Sequence, residues 1–331
     1  ELWSASWGTH LPEPQIQQQL IEFVFMASNA YWEWVAAGRN LQINENLLKL
    51  AEERNAGIQK SVELGDLDPP DLEDNRRSIV SREAKVIDAR RKFQQTSFKL
   101  SIFLRDPSGE PIVLSDRDIP QFPPLEEDFG HSFEADIQQA IANRPELLEL
   151  DLVRRQLDID RSLANNDLLP SVDAVIFGSQ DVGEPTSSKR DKSEFELEAA
   201  LLVNVPLQRR KARGKIQSVE GKISQLVLKR GLIEDKIVAD LQNVHTALSA
   251  NREAVDKARE AVKLANYMAK VERTKFDAGD GTSSLFTLNL REQQAAEAAI
   301  NEIFTTLEYF RAKAEYRAVL AIDHQSEQAR E

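Results

Sequence analysis

The sequence predicts a mainly α fold of long antiparallel coiled-coil helices, with one small β-hairpin and an internal structural repeat. Three observations lead to this prediction. Apolar residues recur at steps of three and four over long stretches, as they do along a coiled-coil seam. One stretch instead alternates apolar and polar residues with the period of two that is typical of strands. A long helix, a glycine turn and a returning helix occur twice, and a shift of 214 residues superposes the two turns.

Charge and composition exclude several classes of protein. The 331 residues include 55 acidic and 42 basic side chains, and the net charge of −13 argues against nucleic acid as a partner. There is no cysteine, which excludes a disulfide framework, cysteine-ligated metals and a cysteine nucleophile. The four histidines lie far apart, so no metal site is predicted. No catalytic constellation, phosphate loop or run of eighteen apolar residues occurs, so we expect no enzyme, no cofactor and no transmembrane helix.

Residues 1–104 are interpreted as the first long helical hairpin. A seam of apolar and small residues extends over 20–62, and a second, looser stripe over 24–50 runs beside it. Two seams on one helix predict two neighbours, as sheets, tubes and bundles of helices require but a two-stranded coiled coil does not. The helix is expected to end at Gly65, and a second helix over about 71–104 returns along it.

The segment 105–145 is interpreted as an irregular connector, because its first part, 105–133, holds five of the 13 prolines. Within the connector we predict a short strand at 112–114 and a helix at 133–143. A further helix is predicted over 146–170, before the period of the sequence changes.

A β-hairpin is predicted over 171–206, in which two strands are joined by a polar loop. In its second strand, 194–206, every other residue is apolar, and Glu194, Glu196 and Glu198 lie between them. This acidic face is open to two interpretations, a charged lumen or an ordinary solvated strand face. The apolar face comprises Phe195, Leu197, Ala199, Leu201, Val203 and Val205.

Residues 207–322 are interpreted as the second long helical hairpin. Heptads return over about 207–277, which would make a helix roughly 100 Å long at 1.5 Å per residue. A turn rich in glycine and serine follows at 279–284, and a last helix is predicted over about 285–322. The polar tail, 323–331, is expected to fray.

Six short segments resemble those of TolC-like outer-membrane efflux proteins, the outer membrane factors of tripartite efflux and type I secretion systems. They occur in the order that this family has, and together they extend over nearly the whole chain. The segments are 29–37 (NAYWEWVAA), 142–147 (ANRPEL), 169–170 (LP), 204–207 (NVPL), 276–279 (FDAG) and 285–292 (LFTLNLRE).

The resemblance implies an outer-membrane protein that extends through the periplasm of a Gram-negative-type envelope. In the complete protein, a homotrimer would close one membrane β-barrel with its strands and one α-barrel with its long helices. Residues 105–145 would then form the equatorial connector, and the apolar strand face would contact outer-membrane lipid. Such a protein is a passive exit duct for efflux or secretion. Its partners would be a periplasmic adaptor (membrane fusion) protein and, through it, an inner-membrane transporter.

The tips of the two helical hairpins are the predicted adaptor-docking sites, because tip loops of both repeats meet the adaptor in this family. The alternative is that glycine and aspartate there only reverse the chain. Some family members close the tip with acidic residues at positions matching Phe286 and Asn289, which are not acidic, although Asp277 and Asp280 could substitute. The predicted docking residues are Gly65, Asp66, Leu67, Asp68, Gly279, Asp280, Gly281, Thr282 and Ser283.

One feature departs from the family pattern, since the family's protomers carry two strand hairpins and this chain has one. We therefore expect that the N-terminal part of the first repeat is missing from this chain, which alone would supply half of the usual strands.

Two alternatives stay open at this point. The basic cluster 207–213 (LQRRKAR) follows the second strand, where lysine and arginine side chains can reach a membrane interface, and nucleic acid binding is the competing interpretation. The whole protein could instead be a soluble coiled-coil scaffold or interaction protein without a pore. The apolar strand face distinguishes the two classes, because a scaffold has no use for it.

Overall fold

The mainly α class is confirmed by the computed structural model, which describes residues 12–65, 67–125, 132–180, 183 and 195–322. These residues form six α-helices and one two-stranded antiparallel sheet. No helix in this part of the chain is long and apolar enough to cross a membrane. The elements are α1 (Pro12–Leu64), α2 (Pro69–Ser101), α3 (Phe133–Asn143), α4 (Pro145–Asn166), β1 (Ser171–Ser179), β2 (Glu196–Asn204), α5 (Arg210–Asp277) and α6 (Leu285–Val319).

Helix α1 begins at Pro12, earlier than the predicted seam at Leu20. Pro12 and Pro14 form its first turn. Proline is tolerated there because the first N–H groups of a helix have no intrahelical acceptor, so the missing donor is not needed. The seam itself is buried at Ala30, Trp34, Ala37, Leu41, Ala51 and Ile58.

The described chain divides into two compact units. One unit contains the start of α1, then α4, both strands and α5 as far as Glu234. The other contains the rest of α1, α2, α3, α5 from Asp235 onward and α6.

In the second unit, the core lies between α1 and α2. Trp34 is 1% exposed, and its indole Nε1 donates a hydrogen bond to Ser97 Oγ at 3.1 Å. The ring also packs near Phe93, with centroids 6.2 Å apart. Burying a large apolar side chain of this kind contributes about 1.5–3 kcal/mol, so these contacts hold the two helices of the hairpin together.

The connector after α2 contains no strand at 112–114, and that prediction is wrong. One isolated β-bridge pairs Arg105 with Pro111, and the Ile112 N–H donates to the Leu104 carbonyl at 3.0 Å. Because Pro111 has no N–H to donate, the bridge is not extended into a ladder, and the segment has no second strand to pair with. The chain continues instead into a 3₁₀ turn at Asp116–Asp118.

The connector then packs against α1 at a glycine. A Cβ on Gly38 would lie 2.5 Å from Ile119 Cδ1, so a larger residue there would force the Ile119 side chain to move. Beside it, Arg39 Nε donates to the Pro120 carbonyl at 3.0 Å. Farther along, Phe122 stacks on Trp32 with ring centroids 5.9 Å apart. These contacts fix the connector to the middle of the long helix.

Candidate functional site

The β-hairpin carries one wholly apolar face. The strands pair antiparallel, and residues directly opposite each other point to the same side of a sheet. This register brings the alternating apolar residues of β1 and β2 onto a single side. The facing pairs are Val172 with Val203, Ala174 with Leu201, Ile176 with Ala199 and Gly178 with Leu197.

Four of the six predicted apolar residues thus lie inside β2 on this face, which we call the apolar face. The other two, Phe195 and Val205, flank the strand at either end and are exposed. The Phe195 ring lies over Gly178, where a Cβ would be 3.6 Å from Phe195 Cζ. An aromatic ring beside a glycine on the neighbouring strand covers backbone that would otherwise be bare.

The opposite face of the hairpin is mixed and acidic. It carries Asp173, Glu196 and Glu198, which alternate with apolar residues and have no basic residue among their cross-strand partners. Glu194, which was predicted to belong to this face, lies outside the described residues. The sequence argument missed Asp173, although the alternation of Val172, Asp173 and Ala174 already carries the signal.

Nearly all residues of the two strands are exposed, including large apolar ones. Ile176 is 76% exposed and Leu201 is 69% exposed. Each strand also pairs on one side only, so both outer edges of the described sheet present unpaired backbone groups. An exposed apolar face with two open edges indicates a surface that another molecule covers.

The first helix tip turns at Gly65, in the left-handed region. Its φ is +83°, and no atom lies within 4 Å of a Cβ placed on it. The Gly65 N–H donates to the Val62 carbonyl at 3.1 Å, and the Leu67 N–H donates to the Ser61 carbonyl at 3.3 Å. These bonds satisfy carbonyls at the end of α1. Asp66 lies outside the described residues.

The return from the first tip starts at Asp68, which is exposed. Its backbone N–H donates to Asp71 Oδ2 at 3.2 Å, an arrangement that caps the beginning of α2. Leu67 is half-buried between the two helix ends.

The second tip turns at Gly279 with a φ of +69°. The Gly279 N–H donates to the Phe276 carbonyl at 3.1 Å, and the Asp280 N–H donates to the Lys275 carbonyl at 3.0 Å. This is a Schellman ending, in which the two amides after the helix satisfy its last carbonyls. As at the first tip, no atom lies within 4 Å of a Cβ placed on the glycine.

Side chains fix the rest of the second tip. Asp280 Oδ1 accepts hydrogen bonds from the Thr282 N–H at 3.0 Å and from Thr282 Oγ1 at 2.9 Å. These two bonds, the backbone bond first, lower the pKa of Asp280. Ser283 Oγ donates to Glu272 Oε1 at 2.7 Å, and Gly281 is exposed. The predicted docking residues of this tip therefore form one ordered turn.

The positions at which some family members carry acidic tip residues have other contacts here. Phe286 is 67% exposed. The Asn289 Oδ1 accepts from Arg54 Nη1 at 3.0 Å and from Arg82 Nη2 at 3.2 Å. It stays a prediction that Asp277 and Asp280 take the place of these acidic tip residues.

Sequence reasoning missed a buried charged cluster that joins four helices. Glu292 on α6 binds Arg54 on α1, Arg82 on α2 and Arg273 on α5. The nitrogen to oxygen distances are 3.4 Å for Arg82 and 3.3 Å for Arg273. We call these four residues the arginine–glutamate cluster.

The arginine–glutamate cluster holds three cations around one carboxylate. Glu292 is 6% exposed and Arg82 is 5% exposed. The Arg82 guanidinium also donates to the Leu47 carbonyl at 2.7 Å. Burial, followed by the nearby charge of Arg54, lowers the pKa of Arg82, while Glu292 opposes this shift. A signal was available, since Arg82 and Glu292 occupy steps of the apolar 3–4 pattern, where a polar residue needs a buried partner.

A second buried cluster joins α3, α5 and α6. Asp136 is fully buried, and its Oδ2 lies 2.8 Å from His245 Nε2 and accepts from Tyr316 Oη at 2.7 Å. The Phe133 ring packs edge-on against His245. Burial, then the hydrogen bond to Asp136, raises the pKa of Tyr316. Among the described residues, no group of three or more His, Cys, Asp or Glu side chains could hold a metal ion.

Solved structures of bacterial membrane proteins share the fold of this chain. A membrane protein from Pseudomonas aeruginosa superposes with a TM-score of 0.77 at 16% identity, over 96% of this chain and 71% of that one. The open-state MtrE outer membrane channel of Neisseria gonorrhoeae gives 0.74 at 14% identity, over 96% and 70%. The CmeC outer membrane channel of Campylobacter jejuni gives 0.74 at 12% identity, over 99% and 69%. No protein-family model and no curated protein matches the chain.

Proposed function

We propose that the chain, whose fold is that of the TolC-like outer-membrane channels its sequence resembles, is a protomer of an outer-membrane exit duct. The duct is passive and serves a tripartite efflux or secretion system. The observation that carries this proposal is the register of the β-hairpin, which collects seven apolar side chains and Gly178 on one face and three carboxylates on the other.

Lipid explains both features of the hairpin. The hydrocarbon core accepts the apolar face at no cost, while carboxylates require water and therefore a lumen. Backbone groups at the two open edges must also find partners in a membrane, because no water reaches them there. Only a closed barrel satisfies every edge, so the hairpin pairs with further strands, including those of other copies of the protein.

The helices support an assembly of several copies. Helix α2 carries Val80, Ile87 and Phe98 at 63%, 67% and 61% exposure. These large apolar residues face no neighbour in a single chain, as expected for a second seam that packs on an adjacent protomer. A homotrimer that closes an α-barrel covers them.

The two tips suit docking of a periplasmic adaptor, which in turn recruits an inner-membrane transporter. Gly65 and Gly279 make the same left-handed turn with open space around them. Two similar tips per protomer give six similar docking points in a trimer, which fits a six-fold adaptor ring. In this proposal the tips dock the adaptor, and the arginine–glutamate cluster holds the four helices together.

Two adjacent leucines test the proposal, because they occupy opposite faces of β2. Leu201 lies on the apolar face and Leu202 on the acidic face, with exposures of 69% and 56%. We expect Leu201→Arg to reduce the protein in the outer-membrane fraction strongly, since arginine facing lipid costs about 2–4 kcal/mol at the midplane. Leu202→Arg, the matched control, should assemble nearly as well as the wild type.

The measurement is the amount of protein in the outer-membrane fraction after density-gradient separation. Equal behaviour of Leu201→Arg and Leu202→Arg would contradict a barrel. Recovery of the wild type in the soluble fraction without detergent would favour the alternative, a coiled-coil scaffold without a pore.

A further inference from the structure

Helix α5 begins with a dense group of cations. Arg209, Arg210, Lys211, Arg213 and Lys215 are all exposed. No acidic residue occurs from 207 to 219, although the whole chain has a net charge of −13. We call residues 209–215 the basic segment.

The positive charges of the basic segment are electrostatically unfavourable at the N-terminus of α5. The N-terminus of a helix carries a partial positive charge that favours acidic residues, and the first turn of α5 has none. Lys215 forms an ion pair with Asp167 at 3.7 Å. The other four cations make no ion pair with any described residue. An anion from outside the chain would stabilise like charges at a positive helix end.

The place of the basic segment indicates which anion this is. Strand β2 ends at Asn204, opposite Ser171 at the start of β1, so the segment follows the helical end of the hairpin. Leu169 and Leu207 flank that end and are 61% and 92% exposed. Leu207 precedes the first cation, Arg209, by two residues, and this order matches that of the apolar core and the phosphate layer at a membrane surface.

We propose that Arg209, Arg210, Lys211 and Arg213 bind the phosphate headgroups of anionic phospholipids, in the leaflet that faces the helices. The proposal rests on the membrane-spanning hairpin of the proposed function. Three of the four cations are arginines, whose planar guanidinium binds two phosphate oxygens at once. The free N–H groups of the first turn of α5 add donors for the same phosphate.

The test is lipid retention by the purified protein. Wild-type protein in neutral detergent is mixed with equal amounts of phosphatidylglycerol and phosphatidylethanolamine, and the retained lipids are counted by native mass spectrometry. The test variant replaces Arg209, Arg210, Lys211 and Arg213 with glutamine. The control variant makes the same change in charge at Lys229, Lys236, Lys263 and Lys270, which are exposed farther along α5.

We expect the wild type and the control to prefer phosphatidylglycerol, and the test variant to lose this preference. The loss should be roughly fivefold per cation near the surface. An unchanged preference in the test variant, or an equal loss in the control, would overturn the proposal.

Two further arms address other sources of phosphate. If inorganic phosphate displaces phosphatidylglycerol more than chloride does at the same ionic strength, the ligand of the basic segment is a free anion and not a lipid. If the wild type but not the test variant binds duplex DNA, the ligand of the basic segment is nucleic acid and not a lipid. Density-gradient fractionation distinguishes failure of the lipid proposal from failure of the proposed function. If the wild type is outside the outer membrane, both proposals fail, whereas a correctly located wild type that shows no preference for phosphatidylglycerol removes only this one.

Discussion

Gly279 turns the second tip with a φ of +69°, and a side chain there would meet open space. A substitution is therefore expected to strain the backbone by about 1 kcal/mol rather than to cause a clash. The same argument applies to Gly65, whose φ is +83°. Because this strain is small, any strong effect of a large side chain at either tip on function would come from impaired docking of the proposed adaptor.

We expect Gly279→Arg to abolish efflux while the protein stays folded in the outer membrane. In the proposed duct an arginine would thicken a tip that docks between adaptor helices, and it would disturb the Schellman ending. Drug accumulation and adaptor crosslinking are measured together. Gly57→Arg, which adds the same side chain in open space on α1, is the control and should behave like the wild type. Unchanged crosslinking in both Gly65→Arg and Gly279→Arg would leave the tips with only a turn-forming role.

The buried contacts of Tyr316 predict that the protein loses stability at alkaline pH. Its folded pKa is raised above the usual value by burial and by the hydrogen bond to Asp136. The resulting stabilisation is full below about pH 10, where the unfolded tyrosine is protonated, and is lost as the pH rises toward the folded pKa. Tyr316→Phe should lower the free energy of unfolding by about 1–3 kcal/mol at neutral pH and flatten its decline at alkaline pH. Chemical unfolding across this pH range measures both effects, and Tyr267→Phe, at an exposed site, should show neither.

Among the elements, the four long helices depend on the arginine–glutamate cluster where they meet. Glu292→Gln removes the one carboxylate from three arginines and should lower the free energy of unfolding by about 3–5 kcal/mol. The exposed Glu297→Gln on the same helix should change it by less than about 0.5 kcal/mol. Thermal or denaturant unfolding compares the two. A Glu292→Gln protein as stable as the control would mean that the cluster does not hold the helices.

The sequence predicted elements better than the contacts between them. The seam of α1 and the alternation in β2 were predicted correctly, because helix and strand periods are properties of neighbouring residues. Arg82 and Glu292 are 210 residues apart, and their pairing depends on packing that no local pattern contains. The strand predicted at 112–114 does not form, because the segment has no partner strand among the described residues.

At the scale of the whole molecule, the exposed residues of α2 predict how copies meet. Ile87 is 67% exposed in the single chain and, in the proposed trimer, packs on a neighbour. Ile87→Lys should therefore reduce the trimer seen by crosslinking without changing the folding of the single chain. Ser81→Lys adds the same charge at an exposed position of α2 that lies off the stripe formed by Val80, Ile87 and Phe98, and it is the control. If both variants trimerise equally, α2 does not face another copy.

The register of the β-hairpin has a consequence for how its length can change during evolution. Since neighbouring residues of a strand alternate between the two faces, deleting one codon inside β2 would turn the rest of the strand over. Either Glu196 and Glu198 would then lie on the apolar face, or Leu201 and Val203 would leave it. Removing or adding two codons keeps every side chain on its own face. Homologous hairpins should therefore differ in strand length by even numbers, and odd changes should coincide with a bulge that restores the alternation.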